Sequence, residues 1–472
     1  MRSIATLILL LISLYTSAQD LTANWSPLVS VEKARDLRLI GQVNEGYLIG
    51  VISANTNKNK QLVQFDPELD NYSTINLQFE GESIEYCTIL NDKIVVLSSA
   101  VQDNKKTIKA RIVSDGDFED PITICQSPFQ KASFHFSVSP NGQFLGLIAN
   151  APYLKGKNEE IGTWIFDSSL QEKLVYKLTL TNKNMKVKIN VPVVSNTGVL
   201  FLIKRFNQGA DNTYYAFSVD PETKRHQRKT LTLMGKRIAD VKYALDNSDN
   251  LHIAGFYVSQ SYRISEGSFY FKLDQTTKAI TFKQNAFNPE FVVAAEGKKN
   301  YKKYGGLVDF KINEMALLKD KIYLTANHTK RTKVEEGGVQ HFHYQKDNLA
   351  LICLKKSGEE DFSKTIDLHQ KSKDDKGFWN QNKMICRDAQ LLIFNNLKTQ
   401  EGVILKMSKL TNDNDLYTEE LSSIYNAHDL KLGLDLGNMI TLNGELLVPA
   451  WNMSKDKVAI GVMSDIVEDQ DE

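Results

Sequence analysis

Residues 288–379 hold this chain's best candidates for chemistry, because cations and aromatic rings alternate there. Lys298-Lys299-Asn300-Tyr301-Lys302-Lys303-Tyr304 comes first, then Asn327-His328-Thr329-Lys330-Arg331-Thr332-Lys333. His341-Phe342-His343-Tyr344 follows, and Lys371, Lys373, Lys376, Phe378 and Trp379 close the stretch. Cationic groups steer anions, and rings stack on cations. The expected chemistry is therefore recognition of an anionic glycan, an acidic peptide or a partner protein. The residues expected to carry it are Lys298, Lys299, Tyr301, Lys302, Lys303, Tyr304, Lys330, Arg331, His341, His343, Tyr344 and Trp379. The rival reading is a solvated surface whose lysines only preserve solubility.

His341 and His343 stand at i, i+2, so they share a face if the segment is a strand. A metal site needs three or four ligands in fixed geometry. No Cys or carboxylate completes such a set at diagnostic spacing, and no metal is expected. Asp246-Asn247-Ser248-Asp249-Asn250 and Asn412-Asp413-Asn414-Asp415 lack the Gly and the distant Glu of a Ca²⁺ loop and read as turns. No nucleophile elbow, zinc-protease helix, phosphate loop or dinucleotide fingerprint occurs. No catalytic residue or cofactor is assigned. A carboxylate site built from scattered residues stays open as the alternative.

The compartment is read from the N-terminus. Arg2, an apolar run from Ile4 to Leu14, and Thr16-Ser17-Ala18 form a secretory leader, expected to be cut before Gln19. The run is shorter than the ~20 residues of a membrane span, and no later stretch is apolar enough. The expected product is exported, to the periplasm or beyond the cell. Lys+Arg and Asp+Glu balance at 57 each, so the excess positive charge of a nucleic-acid binder is absent. Four Cys are too few for a disulfide framework in 472 residues, and each sits in an apolar strand pattern.

The elements that must position these residues come from a repeat. Phe136-Ser137-Val138-Ser139-Pro140-Asn141-Gly142-Gln143-Phe144-Leu145 is strand, tight turn, strand. Asn-Gly is a hairpin signal, since the favoured two-residue turns need φ > 0 at both centres. Comparable turns recur near Asn44, Asn91, Asn196, Asp246, Lys319, Asp388 and Asn443. A second mark ends several strands: Asp66, Asp167, Asp220 and Asp274 open turns. Each unit thus reads as four strands, with no helical period between units. The third unit resembles the Ser-Pro-Asp-Gly turn of WD40-like repeats in secreted bacterial propellers of the TolB type, with Asn141 in place of Asp. The resemblance implies the fold and no activity.

The expected fold is all-β: a single β-propeller of four-stranded blades over residues 19–465, after a leader at 1–18 and before an acidic tail at 466–472. Radial packing buries both faces of each sheet. Eight blades are expected, with seven as the alternative. The eighth unit lacks a fourth strand, so Pro27-Leu28-Val29-Ser30-Val31 is expected to join it and close the ring. The long segments, at 150–161, 205–213, 286–306, 327–347 and 370–382, all map to one face. One-sided insertions mark a binding side. Asn288-Pro289 is expected to start the one helix. The expectation is a monomeric, non-enzymatic binding protein whose long-loop face takes a protein or glycan partner.

Overall fold

The computed structural model describes residues 21–465, apart from 32–33, 45, 55–59, 115, 153, 155, 181–190, 209–210, 260, 388, 399–402, 412, 422–431 and 453. The leader and the acidic tail lie outside the described residues. Among the described residues the chain is all-β apart from two short α-helices and two 3₁₀ turns, and its strands form successive antiparallel sheets. The third sheet shows the pattern: Ser133–Val138, Phe144–Asn150, Glu159–Asp167 and Glu172–Leu180 pair in chain order. Five other sheets have the same four-stranded order; the second and eighth carry extra strands, and Ile264–Ser265 pairs apart with Leu307–Val308. The expected strand addition is present: Val29–Ser30 pairs with Lys457–Asp465, and so does Leu21–Trp25.

The turns explain the sheets. Asp167 Oδ1 accepts from the N–H groups of Ser169 and Gln171, both at 2.9 Å, and Asp274 does the same for Thr277 at 2.8 Å. The Ser139–Gly142 turn differs from the expected two-residue type. Only Gly142 has positive φ, at 69°, and its N–H donates to Ser139 O at 2.8 Å. Pro140 holds its own φ near −65°, so the chain takes a longer loop closed by Ser139 Oγ, which accepts from Gln143 and Phe144 N–H.

Hydrophobic clusters sit between consecutive sheets. Val43, Ile49 and Leu62 of the first meet Ile84, Cys87 and Val96 of the second. The same arrangement repeats down the chain, and Leu37, Leu48 and Phe65 of the first sheet meet Leu447, Trp451 and Ile460 of the eighth. Side chains stitch neighbouring sheets at their first strands and the turns beside them. Asn44 N–H donates to Asp92, Asn141 N–H to Asn196, and Asn196 N–H to Asp249. Later in the chain Ile312 N–H donates to Asp240, Met384 N–H to Glu314, and Gly437 N–H to Gln381. The eighth sheet reaches the first through Asn438 to Asp36 and Asn443 to Gln42. All four cysteines are unpaired thiols. No described helix is long and apolar enough to cross a membrane.

Candidate functional site

Helix α1 (Pro289–Glu296) begins as expected. Asn288 Oδ1 accepts from Glu290 N–H at 2.8 Å, and Pro289 takes the first position, where its missing N–H costs nothing. Phe291, Val292 and Ala295 anchor it between the fifth and sixth sheets. Gly297, at φ 82°, stops it. The segment expected as a loop beyond it is a second helix, α2 (Lys298–Tyr304), ended by Gly305 in the left-handed region. One face explains the difference: Tyr301 packs against the α1 cluster, which suffices to fix a helical turn. Lys298, Lys299, Lys302 and Lys303 are all exposed, and none forms an ion pair with a described residue. Lys303 Nζ lies 4.9 Å from the Tyr304 ring.

The 327–347 segment is no loop either. Lys321–Glu336 and Val339–Lys355 stay paired to Glu336 and Val339, around Gly337-Gly338. Glu360–Lys373 joins as a third strand. Alternation and β-branched residues continue through Thr329, Thr332 and Val334, so the sixth sheet extends into an arm. The 205–213 segment likewise continues as strands, Leu200–Gln208 and Asp211–Asp220. On the arm, Arg331 lies 3.9 Å from the Phe342 ring and 5.9 Å from that of Tyr344. Lys330 and Lys333 are exposed and form no ion pair with a described residue.

Both arm histidines lie beside carboxylates, and His341 is held by a hydrogen bond. His341 Nδ1 sits 2.6 Å from Asp374, and His343 Nε2 3.3 Å from Glu336, which also takes Lys373 at 2.5 Å. These contacts pin the third strand to the hairpin. Among the described residues no group of three metal-ligating side chains occurs. Trp379 is the misplaced member of the expected surface. It is 3% exposed, because Asp375 accepts from Gly377 and Trp379 N–H and folds Phe378–Asn380 into an inward 3₁₀ turn. A Cβ at Gly433 would stand 2.1 Å from the indole, so glycine makes the room. Phe378 carries Lys455 Nζ 3.2 Å from its ring centroid. Both border a cavity of about 690 Å³ with Asp374, Asp375, Lys376, Gly377 and Gln381.

A catalytic carboxylate site would need acids that structure leaves uncommitted. Several acids are taken up in ion pairs. Glu82 pairs with Lys109 and Arg111, Glu85 with Lys106, and Glu314 with Lys383. One pair stands apart. Asn438 Nδ2 donates to Asp36 at 2.6 Å and to Asp435 at 2.9 Å, so the two carboxyl groups lie within one amide's reach. Asp435 is 1% exposed, and burial, then the Asp36 charge, push its carboxyl upward.

Sequence reasoning also missed a set of buried amides in the sixth and seventh sheets, including Asn327, Gln370, Asn380 and Asn395. Their signal was visible: Asn327 follows Ile322-Tyr323-Leu324-Thr325-Ala326, and Asn395-Asn396 follows Leu391-Leu392-Ile393-Phe394. An amide on an otherwise apolar, inward strand has to be satisfied inside.

No family model matches the chain, and no curated protein matches it. The TolB-type resemblance thus has no sequence match behind it. Among solved structures, the polysaccharide lyase Uly1 is 10% identical, with 90% of this chain and 89% of that one covered, at a TM-score of 0.42. A prolyl endopeptidase is 9% identical, covering 85% of this chain and 57% of that one, at 0.36. An uncharacterised protein from Listeria monocytogenes EGD-e is 9% identical, covering 91% and 94%, at 0.37.

Proposed function

We propose that this chain is an exported, closed eight-bladed β-propeller that binds an anionic partner, an acidic protein or glycan, through the face bearing α2 and the arm. One observation carries the binding reading. Lys298, Lys299, Lys302, Lys303, Lys330 and Lys333 are exposed, gathered on α2 and the arm, and without a carboxylate partner among the described residues, unlike the less exposed Lys106, Lys204 and Lys321, which are paired. An unneutralised cationic face raises the local concentration of anions and speeds their encounter. Closure is supported by the cluster and the hydrogen bonds joining the eighth sheet to the first. Export rests on the leader pattern.

The test reverses the helix. A Lys298→Glu/Lys299→Glu/Lys302→Glu/Lys303→Glu variant should fold normally, since α2 buries no side chain fully. Capture of acidic proteins and anionic polysaccharides from an envelope extract should fall by about tenfold or more, and wild-type capture should weaken with salt. Equal capture by both proteins would sink the reading and leave the lysines a solubility device.

A carbohydrate hydrolase or lyase is the second reading, favoured by the Asp36–Asp435 pair. Asp435, whose carboxyl burial pushes upward, would be the acid, with Asp36 its partner. Asp435→Asn should then cut product release from a polysaccharide panel by about 10²-fold or more. Wild-type protein releasing no product from the panel rejects it. The same variant has a stability signature. A carboxyl raised on folding contributes fully below its unfolded value of 3.8, and that contribution fades as pH rises. Asparagine is neutral throughout, so Asp435→Asn should be more stable than wild type at pH 7 and no better below pH 3.8. Denaturant midpoints at the two pH values measure this.

A further inference from the structure

The seam between the sixth and seventh sheets changes character along its length. Its lower part is apolar: Tyr323, Leu349, Leu351, Cys353 and Ile366 meet Met384, Leu391 and Ile393. Strand alternation carries the same faces upward. Asn327 pairs with Leu349 and shares its side. Asn395 lies two residues beyond Ile393, and Asn382, its cross-strand partner, two before Met384. Gln370 continues the inward series Ile366, Leu368, and its Nε2 donates across the seam to Gln381 O at 3.4 Å and to Asn396 O. Lys346 stands directly opposite Gln370. Asn380 Nδ2 donates to Tyr344 O at 3.1 Å, two residues from Lys346.

Six polar side chains therefore meet where apolar ones would be expected, and their remaining groups are unanswered. Asn327 Nδ2, Gln370 Oε1, Asn380 Oδ1, Asn382 Nδ2 and both amide atoms of Asn395 are buried without a hydrogen-bond partner. Asn327, Gln370, Asn380 and Asn395 are each at most 3% exposed. Each such group is destabilising if it stays unanswered, and a marginally stable fold does not accumulate such groups at one seam without return. Lys346 forms no ion pair with a described residue, and burial alone pushes its amine down to about 8. Lys346 is half-buried, and a partly desolvated amine with no counter-charge among the described residues favours an anion beside it.

We infer that this seam is a binding site for a small hydroxylated carboxylate, of the sugar-acid class, with Lys346 and the amide donors on its carboxylate and the amide oxygens of Gln370, Asn380 and Asn395 on its hydroxyls. The donor and acceptor mixture selects that class. Amine and amide N–H groups suit a carboxylate, while the orphan oxygens need several ligand O–H donors, which acetate lacks and the one or two P–OH groups of phosphate near neutral pH supply only in part. Gln381 lines the 690 Å³ cavity, and its backbone oxygen accepts from Gln370 in the seam. The site shares no side chain with the lysines proposed for the cationic surface, so either can fail alone.

The experiment is calorimetric titration and thermal unfolding of the mature full-length chain with D-glucuronate, D-glucose, acetate and inorganic phosphate. Glucuronate should bind and raise the melting temperature, with the other three at least about tenfold weaker. Lys346→Met and Asn395→Leu should each weaken glucuronate by about tenfold or more while circular dichroism stays unchanged. If Asn395→Leu fails to fold, Lys346→Met decides, since an unpaired amine is not needed for folding. No glucuronate binding at millimolar concentration, equal binding by Lys346→Met, or a preference for phosphate overturns the inference and leaves a hydrated polar seam.

Discussion

Glu82→Ala should destabilise the protein by about 3–5 kcal/mol. Glu82 stands at the start of the first strand of the second sheet, with its carboxylate 5% exposed. It takes Arg111 at 2.7 Å, Lys109 at 2.7 Å and Ser98 Oγ at 2.6 Å. Removing it leaves the Arg111 guanidinium buried against Phe79, 3.8 Å away, with Ser98 Oγ as its remaining neighbour in this network. The penalty is the uncompensated charge, not the lost attraction. The double variant Glu82→Leu/Arg111→Met should therefore recover most of the loss, because an apolar pair of similar volume has no desolvation cost. Burial pushes the Glu82 carboxyl up, but the Arg111, Lys109 and Ser98 hydrogen bonds outweigh it and bring the group to about 2. A carboxyl lowered on folding gives stability that is whole above its unfolded value of 4.5 and is lost as pH falls toward 2. Wild-type stability should fall over that window, and the double variant should fall less steeply. Urea midpoints across the window measure both. A single variant within about 1 kcal/mol of wild type would show that the network contributes little.

Asp246→Ala should cost about 3 kcal/mol or more, since it removes several charge-assisted hydrogen bonds at once. Asp246 Oδ1 accepts from Ser248 and Asn250 N–H, both at 2.9 Å, and closes the turn. Its Oδ2 sits 2.9 Å from His252 Nε2, and the other ring nitrogen lies 2.8 Å from Tyr270 Oη. His252 and Tyr270 are fully buried. Burial pushes the imidazole down, against the pull of the Asp246 carboxylate, and raises the Tyr270 phenol beyond the range of ordinary titration. The chain of three has the look of a catalytic relay, yet its burial makes it a brace between a turn and the sheet behind it. Asp246→Asn keeps the turn acceptor and loses the charge, so it should cost about half as much. Amide exchange at Ser248 and Asn250 should accelerate with the alanine and much less with the asparagine. Unchanged exchange in the alanine variant would mean that the turn holds without its cap.

The same turn bears on how far local chemistry can be read. Asp246-Asn247-Ser248-Asp249-Asn250 was legible as a turn rather than an ion loop, and the hydrogen bonds agree. Asp249 adds something no local pattern announces: its carboxylate accepts from Asn196 and Thr197 N–H of the neighbouring sheet. The Asn288-Pro289 helix start was equally legible, because a cap and a fixed φ are local devices. The helix after it was not. Lys298–Tyr304 is polar on nearly every side, and only the seat for Tyr301 on a tertiary cluster makes it helical. The arm was hidden by its polarity, since exposed strand residues look like loop when no sheet is in view. Trp379 was assigned to the surface by its neighbours in sequence, and its burial depends on Gly433 far along the chain.

Sequence alone determined most of the sheets, their order, the turn positions and the Val29–Ser30 pairing with the last sheet, but not the Leu21–Trp25 strand that also joins it. Those follow from a two-residue apolar period and from side chains that bond their own backbone, and both act over a few residues. Only the tertiary structure decided which polar residues face water and which face another sheet. The pairing of Asp36 with Asp435, and the gathering of Lys346 with buried amides, join residues that share no local pattern. Packing decides these, because the cost of a buried polar group depends on what the opposite sheet presents to it.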